Sequence, residues 1–508
     1  MTGGGRVAQD TTTWSVSGMA TAVWVLMLAC DGEAPAPEEP VETPVTSPET
    51  TDPGQAGKTG KTGKTGKTGK TGKHDQHGPG SQPGGKGGKM GPPGPPPNGG
   101  QGGMQGPGGQ PNGVQTGGSG GAFQDPSGFP PFHDWSSPKG PAISTMGDWS
   151  TAVMLTTRPS GGYRPQIAVS PKDDELHAVY YDRVDAGDII RHRRSSDGVT
   201  WTSPIQLGQS KDRNWGPDIV ARKDGSVVIV YDHALPDFTS VGYITTWDGS
   251  SWSEPESLTA VDGGEIGSGH VANTIGDDLA YIFIGKQVGE QHRFAARARW
   301  RTGGKWSEIT ALSDGTEDAW HTNVERRPDG SVLAGFDIGT GGSETTLYLT
   351  EGRDGVFSPL ENITATGSPG ERPHFAFAPD GTDYVTWFHK VSGSPQHIYV
   401  RSGKPGAWGE LQEPSAGLGG FHFDPDIAVN SDGVLCLVWG WDSGEDAEMV
   451  YAINRGDGWS APKKIANIDW GKPGLASLEV DSTGRFHVVW NQGVRGENAV
   501  YYADLDVR

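Results

Sequence analysis

The stretch Pro217-Asp-Ile-Val-Ala-Arg-Lys-Asp-Gly-Ser-Val-Val-Ile-Val-Tyr231 reads as two short apolar runs folded back on each other at Asp224-Gly225. Asp-Gly between such runs is a strong hairpin signal. The same unit recurs down the chain, with turns at Pro328-Asp-Gly-Ser, Pro379-Asp-Gly-Thr and Ser431-Asp-Gly-Val, and second runs at Tyr384-Val-Thr-Trp, Leu435-Cys-Leu-Val-Trp and His487-Val-Val-Trp. A third run follows, as in His397-Ile-Tyr-Val-Arg or Met449-Val-Tyr-Ala, and leads through a glycine turn to an aromatic. Those aromatics are Trp149, Trp201, Trp252, Trp306, Phe357, Trp408 and Trp459, separated by 52, 51, 54, 51, 51 and 51 residues. A four-stranded unit of about 50 residues has the size of a propeller blade, and a fixed period of that length marks a repeat architecture.

The two ends of the repeat complement each other. The last unit stops after its third strand at Ala499-Val-Tyr-Tyr-Ala-Asp-Leu-Asp-Val-Arg508, while Gly147-Asp-Trp-Ser-Thr-Ala-Val-Met154 stands alone before the first repeat and resembles Gly456-Asp-Gly-Trp-Ser-Ala-Pro-Lys463. The expected fold is therefore all-β: a seven-bladed β-propeller over residues 140–508, closed by the N-terminal strand completing the last blade. Such closure removes sheet edges that would otherwise be free to aggregate.

Composition changes sharply before the repeats. Residues 31–135 are rich in Pro and Thr, then repeat Lys-Thr-Gly from Lys58 to Lys73, then become nearly all Gly, Pro, Gln and Asn. Such a segment cannot bury enough apolar surface to offset its ordering entropy, so a long disordered tether is expected. Nine acidic residues and eight lysines nearly cancel across 31–130, so the net charge of -21 belongs almost wholly to the propeller. An acidic domain without clustered basic residues excludes nucleic acid as the expected partner. Met19 to Ala29 is apolar but too short to span a bilayer. It ends in Leu26-Met-Leu-Ala-Cys30, which resembles the lipobox of bacterial lipoproteins, with Met27 where Leu is usual. That resemblance implies a lipoprotein-type signal peptide over 1–30, lipidation of Cys30, and a membrane partner through the lipid anchor. It places the protein at the bacterial cell envelope, or in the secreted fraction if the signal is an ordinary one. Cys436, the only other cysteine, reads as a buried strand residue, which leaves no disulfide framework.

Function on a propeller gathers where the innermost strands surround the central channel. Taking positions 165, 217, 269, 322, 373, 425 and 476 as slot zero of each first strand, slot plus two is apolar in every blade: Ile167, Ile219, Val271, Val324, Phe375, Ile427 and Leu478. Strand alternation then turns slots minus one and plus one toward the channel. These are Arg164 and Gln166, Gly216 and Asp218, Ser268 and His270, His321 and Asn323, Arg372 and His374, Asp424 and Asp426, and Leu475 and Ser477. Arg164, His321, Arg372, His374 and Asp424 are the catalytic candidates, because acid-base groups and fixed cations would converge on one funnel. Gln166, Asp218, His270, Asn323 and Asp426 are candidate ligand-binding residues. A water-filled channel needing no ligand accounts for polar slots equally well. Slot minus two holds Tyr163, Trp215, Trp320 and Phe423, either for stacking on a sugar ring or for packing between blades. Three histidines in successive blades raise the question of a metal, but no motif of fixed spacing supports one, and the residues leave the cofactor unknown. Loops on the same face add Asp182, Asp232, His233, Lys286, Asp337, His389, Lys390, Asp442 and Gln492, and turn capping is the simpler role for any one of the aspartates.

The turn Ser195-Ser-Asp-Gly-Val-Thr-Trp201 resembles a degenerate Asp-box, the repeat hairpin of sialidase-like propellers, shortened by one residue. The other turns keep only Gly and the aromatic. Tyr163-Arg164-Pro165 resembles the first arginine motif of sialidases, and Arg372 stands where a second arginine would. No third arginine and no Tyr-Glu nucleophile pair accompany them, and sialidases are six-bladed. Seven-bladed lectins and ulvan-type polysaccharide lyases fit the blade count; for the latter, Arg372 or Arg164 would neutralise a uronate carboxylate while His321 or His374 acts as base. The resulting expectation is a monomeric, surface-tethered propeller whose partner is an extracellular glycan or polysaccharide. A glycoside hydrolase, a uronate lyase and a protein-interaction scaffold are the alternatives.

Overall fold

Three of the Asp-Gly turns close a hairpin with the aspartate capping its own backbone, while at Ser431-Asp-Gly-Val the cap is Asn430, which accepts Val434 N at 2.9 Å. Asp224, Asp329 and Asp380 each accept the N–H two residues on, at 2.8, 3.0 and 2.8 Å. The apolar runs on either side pair antiparallel, as in Ala221 opposite Val227 and Ile219 opposite Ile229. The computed structural model describes Ile143 and residues 145–508, apart from 157–160, 185–186, 209–212, 235–239, 260–264, 275–277, 287–293, 340–344, 365–368, 390–395 and 495–496. The signal-like segment, Cys30 and the tether lie outside the described residues.

Seven antiparallel blades follow in chain order. Their innermost strands are Gly162–Val169, Arg213–Ala221, Glu265–Asn273, Ala319–Arg326, Glu371–Phe377, Phe421–Val429 and Lys472–Val480. The fourth strands are short, such as Ile205–Leu207 or Lys463–Lys464, and in blade five the fourth position is a single bridge between Val400 and Gln412.

The N-terminal strand closes the ring as expected. Val153 pairs with Tyr502 and Met154 with Tyr501, and the flanking bonds Ser150 N to Asp504 O and Leu155 N to Val500 O are both 2.8 Å. The segment just before it also bonds to blade six, Gly147 N donating to Lys464 O at 2.9 Å. One short stretch thus ties blade six to blade seven, and Trp149 lies edge-on to Tyr451, 5.5 Å between ring centroids.

The apolar cores lie between blades. All seven slot-plus-two residues are buried, and at the closure Ile167 of blade one packs with Val489, Val500 and Tyr502 of blade seven and with Leu155. Burying a side chain of this size stabilises by roughly 1.5–3 kcal/mol, so a core between each pair of blades holds the ring.

Simple alternation fails at one place, and the place matters. In six blades the register slips between slot minus two and slot plus one: Tyr163/Gln166, Trp215/Asp218, Gly267/His270, Trp320/Asn323, Glu371/His374 and Phe423/Asp426. Two residues there oppose one on the neighbouring strand, which is a β-bulge. Its first residue takes a left-handed conformation in five blades: Arg164 at φ 45°, Gly216 at 53°, His321 at 41°, Arg372 at 57° and Asp424 at 49°. Four of these precede a proline, which lacks the N–H a regular ladder would need at slot zero. The bulge moves slot minus two to the same side of the sheet as slot plus one, where alternation had put it with slot plus two.

Candidate functional site

The bulges divide the candidate residues into two layers. The outer layer holds the slot-minus-one residues at the mouth, and it is held together from behind by buried carboxylates. Asp337, fully buried at the end of the second strand of blade four, accepts from His321 Nδ1 at 2.9 Å and from the Arg372 backbone N at 3.4 Å. One carboxylate therefore supports the bulges of two adjacent blades. Arg372 Nε in turn lies 3.1 Å from Asp424 Oδ1 of blade six. His321, Asp337, Arg372 and Asp424 form a continuous polar chain across three blades. In blade two the equivalent of Asp337 is Asp232, also buried. Its Oδ2 and Arg164 Nη1 lie 3.0 and 3.6 Å from the point a Cβ on Gly216 would occupy, so the glycine makes room for both. The Arg164 guanidinium stands 5.9 Å from the centre of the Trp215 ring. Asp337 holds two residues of the mouth rather than capping a turn, and only the register between first and second strands reveals it.

The inner layer is the wall of the central channel. All seven slot-plus-one residues, Gln166, Asp218, His270, Asn323, His374, Asp426 and Ser477, line a cavity of ≈ 320 Å³. Much of their polarity latches one blade to the next. Asp218 Oδ2 accepts Val271 N at 2.8 Å, Asp426 Oδ2 accepts Leu478 N at 2.8 Å, Ser477 Oγ accepts Ile167 N at 3.2 Å, and Asn323 Nδ2 donates to Pro373 O at 3.0 Å. His270 Nδ1 sits 3.4 Å from Asp218, and His374 Nδ1 sits 3.1 Å from Asp426. His374 thus belongs to the channel wall and stands apart from the four other catalytic candidates.

The sequence reading missed two channel residues. Glu325 and Glu479 occupy slot plus three, where the other five blades carry Ala168, Val220, Ala272, Ala376 and Ala428. Both line the same cavity. Although each keeps part of its surface on the channel, burial, reinforced by the Glu479, Asp218 and Asp426 carboxylates, pushes Glu325 well above the usual carboxylate range. Burial, then Asp426 and Asp218, push Glu479 up to about 8. Both shifts favour the protonated carboxyl. Two glutamates against five small apolar residues in one repeat slot was the signal that could have found them.

Three of the four slot-minus-two aromatics pack between blades: Tyr163 and Trp215 join the cluster that blades one and two share, with Tyr163 stacked on Tyr181 at 5.2 Å between centroids, and Trp320 meets Phe294 of blade three edge-on at 5.4 Å. Phe423 covers Gly440 of its own blade so closely that a Cβ there would be 2.2 Å from its ring. Among the described residues no group of three or more His, Cys, Asp or Glu is placed to hold a metal ion.

No protein-family model and no curated protein matches this chain. Solved structures do match its fold. An ulvan lyase of the PL25 polysaccharide lyase family, bound to a glucuronic acid–sulfated rhamnose unit, aligns with a TM-score of 0.50 and 12% identity over 73% of this chain and 98% of that one. An α-L-arabinofuranosidase of Fusarium graminearum with arabinobiose gives 0.46 and 12% over 71% and 99%. The Trypanosoma rangeli sialidase gives 0.42 and 10% over 71% and 59%. At these identities the likeness establishes the β-propeller and nothing finer.

Proposed function

We propose that this chain is an envelope-tethered propeller that binds an acidic extracellular glycan at the mouth of its channel, through Arg164, His321, Arg372 and Asp424. One observation carries the reading. Of the six non-glycine residues with positive φ among the described residues, four are these slot-minus-one residues; the other two are Asp174 and Asp354. A left-handed conformation costs a residue with a Cβ about 1–2 kcal/mol, and a bulge at a strand end commonly re-aims a side chain beside a binding site. Four such positions at one repeat slot, carrying two arginines, a histidine and an aspartate, make a site suited to a carboxylated sugar. Arginine recognises carboxylate in a planar fork. His321, its Nδ1 held by Asp337, has the arrangement of an oriented proton acceptor, so turnover by proton abstraction beside a uronate is the chemistry that such a site would support. The ulvan lyase that shares this architecture binds a glucuronate-containing unit, and a uronate is the sugar class we assign to the mouth. The tether places the propeller outside the cell, with lipidated Cys30 as its anchor.

Incubating the full chain with uronate-rich, sialylated and neutral glycans, followed by mass analysis of products and of retained ligand, tests this. Retention or cleavage of a uronate glycan, lost in Arg372→Ala, is the expected result. An unchanged response after both Arg372→Ala and Arg164→Ala would refute a carboxylate clamp at the mouth.

A further inference from the structure

Asp424 carries two separate costs. Its backbone is left-handed at φ 49°, a conformation that Gly216 adopts at the same slot of blade two without any Cβ penalty. Its side chain is 4% exposed, and while Oδ1 lies 3.1 Å from Arg372 Nε, Oδ2 is buried with no hydrogen-bond partner among the described residues. A carboxylate oxygen withdrawn from water without a donor is unfavourable, and it is uncommon in folded proteins. Glycine at this position would avoid both costs and give up only the ion pair to Arg372, which uses Oδ1 and leaves Oδ2 unexplained.

We propose that Asp424 selects the ligand at the mouth: its Oδ2 accepts a hydrogen bond from a ring hydroxyl of the bound saccharide, while its Oδ1 holds Arg372. This rests on the glycan reading above and narrows it. An ionised carboxylate can only accept, so the missing partner is a donor. The adjacent Arg372 guanidinium disfavours a cationic donor such as an ammonium group or a metal ion, and the carboxylate itself repels an anion. A neutral hydroxyl satisfies both neighbours. Because Arg372 belongs to blade five and Asp424 to blade six, the sugar would bridge two blades, its acidic group toward the arginine and a free hydroxyl toward the aspartate. Saccharides whose hydroxyls are blocked are excluded by the same geometry.

Calorimetric titration of the full chain with oligogalacturonate and with ulvan-derived oligosaccharide, each beside its O-methylated counterpart, tests the assignment. Asp424→Asn preserves the size and an oxygen for Arg372 but puts an amide nitrogen in place of the charged acceptor; Asp424→Gly copies Gly216 and serves as a second variant if the first folds poorly. Loss of a hydrogen bond to a charged group corresponds to about ten- to a hundred-fold in affinity. Wild type should therefore bind the free-hydroxyl form at least about ten-fold more tightly than the methylated form, and either variant should lose most of that preference. A variant that keeps the wild-type preference, or a wild type that binds both forms alike, overturns the role of Asp424 while leaving a glycan site at the mouth. A wild type that binds none of these oligosaccharides overturns the uronate reading, and this proposal with it.

Discussion

Replacing Glu479 by Gln should leave stability unchanged in acid and raise it at alkaline pH. The carboxyl has an ordinary value of 4.5 and is pushed up to about 8 in the folded protein, by burial first and then by Asp426 and Asp218. Below 4.5 the folded and unfolded chains both carry the proton, and Glu479 costs nothing. Between 4.5 and about 8 the unfolded chain ionises while the folded one does not, so each step up in pH favours unfolding. Above about 8 the folded chain must carry the charge beside two other carboxylates, and the loss is complete. At about 1.4 kcal/mol per tenfold in proton affinity, the interval from 4.5 to about 8 sets a ceiling of roughly 5 kcal/mol. Channel water screens part of it, which leaves roughly 1–3 kcal/mol as the expected gain. Glutamine has nearly the same shape and cannot ionise. Urea unfolding of wild type and Glu479→Gln at about pH 4, 6, 7.5 and 9 reads the difference directly. The gain should be near zero at the lowest pH and grow to its full size at the highest. An equal gain at every pH would mean that packing, not protonation, is responsible, and no gain at alkaline pH would refute a neutral carboxyl in the channel.

Two further outcomes follow from the same wall and from the blade interfaces. Asp426→Ala leaves the Leu478 N–H and His374 without their acceptor and should cost roughly 3–5 kcal/mol, against about 1 kcal/mol for Ser477→Ala, whose latch is uncharged; equilibrium unfolding compares the two. His177, its Nδ1 3.2 Å from His192 Nε2, is driven down to about 4 by burial and then by Arg194, so the folded protein binds fewer protons than the unfolded chain between 6.5 and about 4 and loses stability as pH falls through that window. A His177→Asn chain should show a shallower loss of melting temperature across this range, and an identical slope would refute the assignment.

Much of the architecture was legible because a repeat states its own register. Seven aromatics at a near-constant interval defined the blades, and seven apolar residues at slot plus two set the phase of the inner strand. Both are local signals, period and alternation, that survive without any knowledge of contacts. The closing strand was legible for a related reason: a unit missing one strand at one end and an orphan strand at the other admit one simple pairing. Arg164, His321, Arg372 and Asp424 were read from the sequence together with His374 as channel-facing residues of one funnel. Alternation placed them toward the channel, whereas a left-handed bulge is what puts them at the mouth and separates them from His374.

Three features were decided only by the tertiary structure. The buried role of Asp337 depends on two bulges from different blades, about 16 and 35 residues away in sequence, meeting one carboxylate. The latches of Asp218, Asp426 and Ser477 join strands 53, 52 and 310 residues apart, so no local pattern distinguishes them from polar groups awaiting a ligand. The carboxyls of Glu325 and Glu479 are pushed up only because the ring brings blades four and seven to one cavity. The sequence alone determined which residues repeat and which side of a strand is apolar, since those follow from chain geometry within a few residues. Which polar groups are satisfied, which are strained and which share a charge follows from ring closure, because desolvation and Coulomb energy depend on neighbours that the chain supplies from far away.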